Sequence, residues 1–156
     1  MKTKCFLIGF CFCALSAFGE VSSGVELPKN APVPVLVENV RPKEDDLGLT
    51  REFILSKVEL ELRRNGITPE DGSVSDRGYF IYINVSVTGD AYAWEVSFGR
   101  QIEYDVKGKK YRRLSHTYSK EGYGTYGVES EARNVIMNEV ISAVDILSNK
   151  ILESAK

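Results

Sequence analysis

The chain has 156 residues, with 20 basic side chains against 22 acidic ones and a formal net charge of −2. A chain this close to neutral lacks the strongly positive face that phosphate neutralisation requires, so nucleic acid is not an expected partner. All the cysteines, Cys5, Cys11 and Cys13, lie near the N-terminus. The rest of the chain therefore has neither a disulfide framework nor a thiolate metal site, and its fold depends on a hydrophobic core.

Residues 1–19 are typical of a cleaved export signal. Lys2 and Lys4 give a basic start, residues 5–18 form an apolar run, and Ala17 and Gly19 are small residues at the positions that a signal peptidase reads. The apolar run is shorter than the roughly 20 residues that a membrane-spanning helix needs. We predict cleavage after residue 19 and an exported protein, either periplasmic or secreted.

Two other interpretations of this segment are less consistent with the sequence. A lipid-modified cysteine is preceded by a small residue, but Phe10 precedes Cys11 and Phe12 precedes Cys13. An uncleaved anchor would need a longer apolar run and a stop-transfer pattern after it. We expect no transmembrane segment once the signal is removed.

The mature part divides into a flexible leader, 20–32, rich in Ser, Gly, Pro and Asn, and a single domain, 33–156. Val33, Val35 and Val37 alternate and predict a short strand. Pro34 cannot donate a ladder hydrogen bond, which favours an edge position or a late start to the strand.

Residues 50–65 predict a helix. Thr50 can cap its N-terminus, and Gly66 can take the left-handed conformation that ends it. One apolar stripe suffices to pack a helix on a sheet, but this helix has a second one, formed by Leu49, Phe53 and Leu60. The second stripe predicts contact with a loop of the same chain or with a partner, and these three residues are the candidate partner contacts.

From Tyr79 the apolar period becomes two, which predicts a strand, a turn at 88–90 and a second long strand that reaches Val106. Gly99 and Arg100 interrupt that second strand and predict a bulge or bend. A hairpin turn at 107–109, a third strand at 111–118 and a long amphipathic helix at 129–153 follow. The order β-α-β-β-β-α predicts an α+β two-layer sandwich, with two helices packed on one face of a mainly antiparallel four-stranded sheet.

Residues 122–127 spell G-x-G-x-x-G between a predicted strand and a predicted helix. The spacing is that of a dinucleotide-binding turn, but no second parallel strand follows to supply the ribose-binding acid. We predict instead a flexible connection and no cofactor. Tyr118, Tyr123 and Tyr126 surround these glycines, and exposed tyrosines can stack on a sugar or grip a peptide. They are the candidate ligand contacts.

The sequence nominates no catalytic or metal-binding residue. His116 is the only histidine, whereas zinc needs several His or Cys ligands, and no G-x-S-x-G elbow accompanies it. The acidic run 44–46 predicts a solvated loop without calcium-loop spacing. A pair of carboxylates that meets only in the folded protein, as in a glycosidase, stays open.

The signal segment, the helix end at 60–67, the strand from Tyr79 and the 122–127 segment before a terminal helix resemble a group of small exported bacterial envelope proteins without assigned activity. The layout is also similar to small α+β modules of outer-membrane assembly factors. The resemblance implies an envelope location and transfers no functional residue. We therefore expect a non-enzymatic binding or assembly module whose partner is another envelope protein or a second copy. The alternatives are a secreted hydrolase of glycan or peptide and a small-ligand binder at the tyrosines.

Overall fold

The computed structural model describes residues 24–28, 31–38, 40–70 and 77–154. The predicted signal, 1–19, lies outside them. The described residues form eight elements in the order β1 (Val33–Val37), α1 (Pro42–Asp46), α2 (Arg51–Arg64), β2 (Pro69–Glu70), β3 (Tyr79–Thr88), β4 (Ala91–Val106), β5 (Lys109–Thr125) and α3 (Glu129–Ser154).

The sheet has five strands in the order β2-β1-β3-β4-β5. The α+β class is confirmed, but the four-stranded count is wrong because the two-residue strand β2 also pairs with β1. β1 runs parallel to both of its neighbours, and β3, β4 and β5 form the predicted antiparallel meander. Pro34 precedes the pairing of β1 with β3, which starts at Val35. Pro34 is nevertheless the second residue of β1 and pairs with Glu70 of β2, so the strand does not start late, and β1 is not an edge strand.

Helix α2 begins and ends as its sequence predicts. The Thr50 side chain accepts a hydrogen bond from the Phe53 N–H at 3.1 Å, which satisfies one of the unpaired amides of the first turn. At the other end Gly66 has a φ of 79°, and the Ile67 N–H donates to the Leu62 carbonyl at 2.9 Å. With the bond from the Gly66 N–H to the Arg63 carbonyl at 3.1 Å, it forms a Schellman motif, which turns the chain toward β2.

The core lies between one face of the sheet and the helices α2 and α3. Alternate residues of β3 and of the first half of β4 point to this face and are buried. The register places Ile81 opposite Phe98 and Ile83 opposite Val96, so that the two strands present a continuous apolar surface. The long apolar stripe of α3 packs on it, with Ile136, Val140 and Leu147 among the buried residues.

The acidic run 44–46 is not the solvated loop that its composition suggests. It lies in α1, where Glu44 is fully buried and accepts a hydrogen bond from the Val87 N–H at 2.5 Å. β1 pairs with β3 only as far as Ile83, so the N–H groups further along that edge need another acceptor. The Glu44 carboxylate supplies it for Val87, a long-range contact that no local sequence pattern indicates.

Part of the predicted leader packs on the domain. Val25 is fully buried, and the Ser154 hydroxyl, at the end of α3, donates to its carbonyl at 3.3 Å. The Thr117 hydroxyl donates to the Gly24 carbonyl at 2.6 Å. Residues 24–28 are therefore tied to both α3 and β5, in contrast to a flexible leader.

Beyond the core, β4 and β5 continue together as a two-stranded ribbon, residues 101–114. The pairing shifts by one residue between Phe98 and Gly99, so Thr117 of β5 is the extra residue of a bulge. The predicted irregularity is thus confirmed, with the additional residue on the facing strand. The ribbon closes at Lys107 and Gly108, which both have positive φ, as a type I′ turn requires.

Candidate functional site

A groove with a volume of about 370 Å³ lies between α2 and α3. Phe53 and Leu60 of the second α2 stripe line it, together with Met137 and Ile141 of α3. Leu60 is 44% exposed, whereas Phe53 is partly buried. The groove therefore offers an apolar floor that no other described part of the chain fills.

The rim of this groove is mainly basic. Lys57 Nζ lies 5.7 Å from the centre of the Phe53 ring, and the Arg133 guanidinium lies 5.2 Å from the same centre. Arg64 also lines the groove but is paired with Glu61, at 3.2 Å. The two cations that flank Phe53 contact a ring face instead of a carboxylate, so they stay available to an anionic group at the rim.

The sequence located only part of this site. Leu49 was a candidate partner contact, but it is fully buried and belongs to the core. Arg133 and Met137 were missed because they come from α3, and a sequence pattern on one helix does not reveal which face of the other helix packs beside it. Lys57 could have been predicted from the sequence, because it is four residues from Phe53 and residues four apart lie on one side of a helix.

The three candidate ligand tyrosines do not converge. Tyr118 and Tyr123 lie in β5, which extends through Thr125 and well past the predicted strand end, whereas Tyr126 follows the strand. Tyr118 pairs with Phe98 and faces the helices, whereas Tyr123 pairs with Ala93 on the opposite face and is 90% exposed. Tyr126 is buried, and its hydroxyl donates to the Gly89 carbonyl at 2.7 Å. The structure therefore does not bring the three tyrosines together, and a ligand contact at any of them stays a prediction.

Burial also affects the chemistry of Tyr118. It raises the pKa of the Tyr118 phenol, and Lys150 Nζ lies 5.4 Å from the ring centre. These contacts bind β5 to the C-terminal part of α3. Tyr118 is thus a packing residue with a cation over its ring.

Two glycines of the G-x-G-x-x-G segment have a packing role. A Cβ atom at Gly122 would lie 2.5 Å from the Trp94 ring, and one at Gly124 would lie 2.6 Å from the Tyr92 hydroxyl. The two rings are fixed by Glu139 of α3, which accepts from Tyr92 at 2.8 Å and from Trp94 at 2.6 Å. The glycines make room for aromatic side chains of β4, and residues 122–125 belong to β5 instead of a phosphate-binding turn.

The face of the sheet opposite the helices carries a polar network around His116. His116 Nδ1 lies 3.1 Å from the Ser97 hydroxyl and 3.0 Å from Glu95 Oε1. A Ser-His-acid relay needs the serine and the acid on different ring nitrogens, but here both contact Nδ1. Ser97 is also fully buried, so this trio is not a hydrolytic triad.

Tyr82 extends this network toward β1. Its hydroxyl donates to the Glu38 carboxylate, and its ring centre lies 5.2 Å from that of His116. Burial, together with the hydrogen bond to Glu38, raises the Tyr82 pKa above its ordinary value. The phenol therefore keeps its proton and acts as a donor.

A shallow depression of about 300 Å³ lies beside the network. Glu95 and Glu121 both line it and are directly opposite each other in the register of β4 and β5. The Ser119 hydroxyl lies 3.3 Å from an oxygen of each carboxylate. The pair was not found from the sequence because its register depends on the bulge at Thr117.

Neither a metal cluster nor a membrane-spanning helix is found among the residues that the structure describes. Within 24–28, 31–38, 40–70 and 77–154, no three His, Cys, Asp or Glu side chains are placed to hold a metal ion. None of the helices in these ranges is long and apolar enough to cross a membrane.

No known protein family and no curated protein matches the chain. Among solved structures, a minor lipoprotein from Acinetobacter baumannii is similar over 78% of this chain and 87% of that chain, with 13% sequence identity and a TM-score of 0.24. The identity and the TM-score are too low to transfer a fold, a ligand or an activity.

Proposed function

We propose that this protein is an exported, non-enzymatic binding or assembly module of the bacterial cell envelope, which uses the α2-α3 groove to bind a protein partner. The observation that carries the proposal is an apolar groove floor with two cations, Lys57 and Arg133, at its rim. A partner segment that presents an apolar side chain flanked by carboxylates fits this chemistry. Desolvated apolar contacts would supply most of the affinity, and the charges would steer and orient the segment.

The proposal of export rests on the signal-like segment 1–19. Expression in a bacterial host followed by intact-mass measurement tests it. We expect a mature chain that starts at Glu20 and is recovered outside the cytoplasm. A full-length chain that stays in the cytoplasm would contradict export without affecting the groove.

Selection from a random peptide display library tests the groove. We expect the protein to enrich peptides with a large apolar residue beside Asp or Glu. Leu60→Glu introduces a charge on the groove floor and should abolish the enrichment. Leu152→Glu is the matched control, because Leu152 is 39% exposed on α3 and does not line the groove.

The two variants distinguish peptide binding in the groove from nonspecific binding elsewhere on the surface. If Leu60→Glu and Leu152→Glu select the same peptides, the binding surface is elsewhere. If the unchanged protein selects no peptide class, the binding function at the groove is wrong. Circular dichroism of both variants establishes that each one is folded.

Hydrolysis of a glycan or peptide is the second candidate function, and it rests on the paired carboxylates Glu95 and Glu121. Two carboxyl groups across a cleft are what glycoside hydrolysis needs. Glu121→Gln should abolish any release of sugar or peptide from envelope polymers, whereas Glu103→Gln, on the ribbon, should not. Absence of turnover by the unchanged protein on both polymer classes would remove this candidate.

A further inference from the structure

The ribbon, residues 101–114, separates its side chains into two different faces. Cross-strand partners share a face, so the register places Ile102 with Arg113, Tyr104 with Tyr111 and Val106 with Lys109. The other face carries Gln101, Glu103, Asp105, Lys110, Arg112 and Leu114. We refer to the first set as the apolar face of the ribbon and to the second as its charged face.

The apolar face is exposed to solvent. Ile102, Tyr104, Val106 and Tyr111 are between 42% and 47% exposed, and the two tyrosine rings stack with their centres 5.7 Å apart. The helices cover the same side of β4 as far as Phe98 and no further. A stacked aromatic pair flanked by two aliphatic residues therefore forms a continuous apolar strip on a projecting hairpin.

Charge is distributed unevenly between the two faces. Both acidic residues of the ribbon lie on the charged face, where Glu103 pairs with Arg112 at 2.7 Å and Asp105 accepts from the Gly108 N–H at 2.7 Å. The ionisable groups on the apolar face, apart from its tyrosines, are the cations Lys109 and Arg113. The ribbon as a whole has five basic residues against two acidic ones, in a chain with an acidic excess.

We propose that the apolar face of the ribbon docks onto an anionic phospholipid surface. Aliphatic side chains would enter the headgroup boundary, the tyrosines would lie at the level where amphipathic rings are favoured, and Lys109 and Arg113 would pair with lipid phosphates. The carboxylates would stay on the side away from the lipid, so none would be brought against the negative surface.

The end of the domain that carries the ribbon is also where its N-terminal segment is attached. Gly24 is held by Thr117, three residues from the end of the ribbon at Leu114. The inference does not depend on the groove, which involves other residues.

Tryptophan quenching by brominated lipid tests which face meets the lipid. Tyr104→Trp places the reporter on the apolar face, and Leu114→Trp places a matched reporter, at a site that is 47% exposed, on the charged face. The native Trp94 is buried and contributes the same background to both. The full chain is used, and comparing the two faces separates ribbon docking from anchoring by any other segment.

With vesicles of brominated phosphatidylglycerol and phosphatidylcholine, we expect strong quenching of Tyr104→Trp and little quenching of Leu114→Trp. Vesicles of brominated phosphatidylcholine alone should quench neither reporter. Adding Lys109→Gln and Arg113→Gln to Tyr104→Trp should weaken partitioning roughly 30-fold, since each cation contributes about fivefold near an anionic surface. Added salt should weaken it further.

Three outcomes would overturn the inference. Equal quenching of the two reporters would mean that the ribbon does not meet the lipid by its apolar face, and absence of quenching in both would mean that it does not meet lipid at all. Blue-shifted emission from the Tyr104→Trp variant without vesicles, and no quenching with them, would show that the strip is covered by protein. In that case the dependence of the shift on concentration would distinguish a second copy from a segment of the same chain.

Discussion

The first half of β4 and its continuation into the ribbon have the same alternation of apolar residues, but the first is buried and the second is exposed to solvent. Val96 and Phe98 face the helices and are fully buried, whereas Tyr104 and Val106 follow the same alternation and are almost half exposed. The strand is continuous and its face does not change. What differs is the opposing layer, because α3 covers one half of the strand and leaves the other half uncovered.

Alternation along β4 thus identifies a face and does not identify what covers it. An apolar residue every second position predicts one buried side, and this inference is right for the first half of β4. Burial itself depends on the length of the opposing helices and on where the chain crosses the sheet. A strip left uncovered beyond the core is therefore a surface available for binding.

The largest expected effect on stability comes from truncating one aromatic residue in each half of β4. Phe98→Ala removes a fully buried ring from the core and should lower the free energy of unfolding by about 3–5 kcal/mol. Tyr104→Ala removes a ring that is 44% exposed and stacks on Tyr111, and should cost about 1 kcal/mol or less. Urea denaturation with one shared m-value measures both.

A large effect of Tyr104→Ala on global unfolding would contradict the division of β4 into a core half and a free ribbon. It would mean that the ribbon is part of the same cooperative unit as the core. A small effect of Phe98→Ala would contradict the role assigned to its burial.

Two glycines offer a second comparison, Gly122 inside β5 and Gly127 in the segment that follows it. At Gly122 an added methyl group would meet the Trp94 ring, which Glu139 holds in place, so Gly122→Ala should cost about 1–3 kcal/mol. At Gly127 nothing lies within 4 Å of an added Cβ, and Gly127→Ala should be neutral or slightly stabilising. Thermal unfolding monitored by circular dichroism decides between them. Equal effects would indicate that the segment tolerates side chains and that the ring packing is loose.

These glycines also show how far the sequence could be interpreted. Local signals predicted α2, α3, the two hairpin turns and the bulge, because a cap, a glycine stop or a change of period acts over a few residues. The same local pattern at 122–127 suggested a flexible connection. This was wrong for 122–125, which continue β5, because the need for glycine there comes from Trp94 and Tyr92 on the neighbouring strand, which only the register reveals.

The candidate site was less predictable than the fold for the same reason. Phe53 and Leu60 of the second α2 stripe line the groove, and their contact with a partner stays a prediction, whereas Leu49 is buried in the core. Three features depend on residues that are far apart in the chain. They are the position of Arg133 at the groove rim, the pairing of Glu95 with Glu121, and the burial of Glu44. Packing between elements creates them, and no pattern within one element encodes that packing.

A pH titration extends the comparison to the sheet face opposite the helices. The Tyr82 pKa is raised in the folded protein, mainly by burial and then by Glu38, above the unfolded value of about 10. The folded state therefore disfavours loss of the proton, so this stabilisation is fully present below pH 10 and is lost progressively as the pH rises above 10. Tyr82→Phe removes the ionisable group and should make the free energy of unfolding fall less steeply in alkaline solution.

The measurement is urea denaturation of the two proteins at neutral pH and above pH 10. At neutral pH the variant loses only the hydrogen bond to the exposed Glu38 and should differ from the unchanged protein by about 1 kcal/mol or less. If both proteins lose stability in parallel at high pH, Tyr82 is not the titrating group.

The smallest expected effect concerns the tip of the ribbon. Lys107 has a φ of 54° and precedes Gly108, so a residue with a Cβ and a long side chain occupies a left-handed position of the type I′ turn. Asn tolerates this conformation better, and Lys107→Asn should stabilise the closed turn by about 0.5 kcal/mol. Amide hydrogen exchange should then slow about twofold in the ribbon and remain unchanged in the covered half of β4, because the ribbon opens without the core. Equal slowing in both halves would show that the hairpin and the core open together, and would remove the distinction on which the exposed apolar face depends.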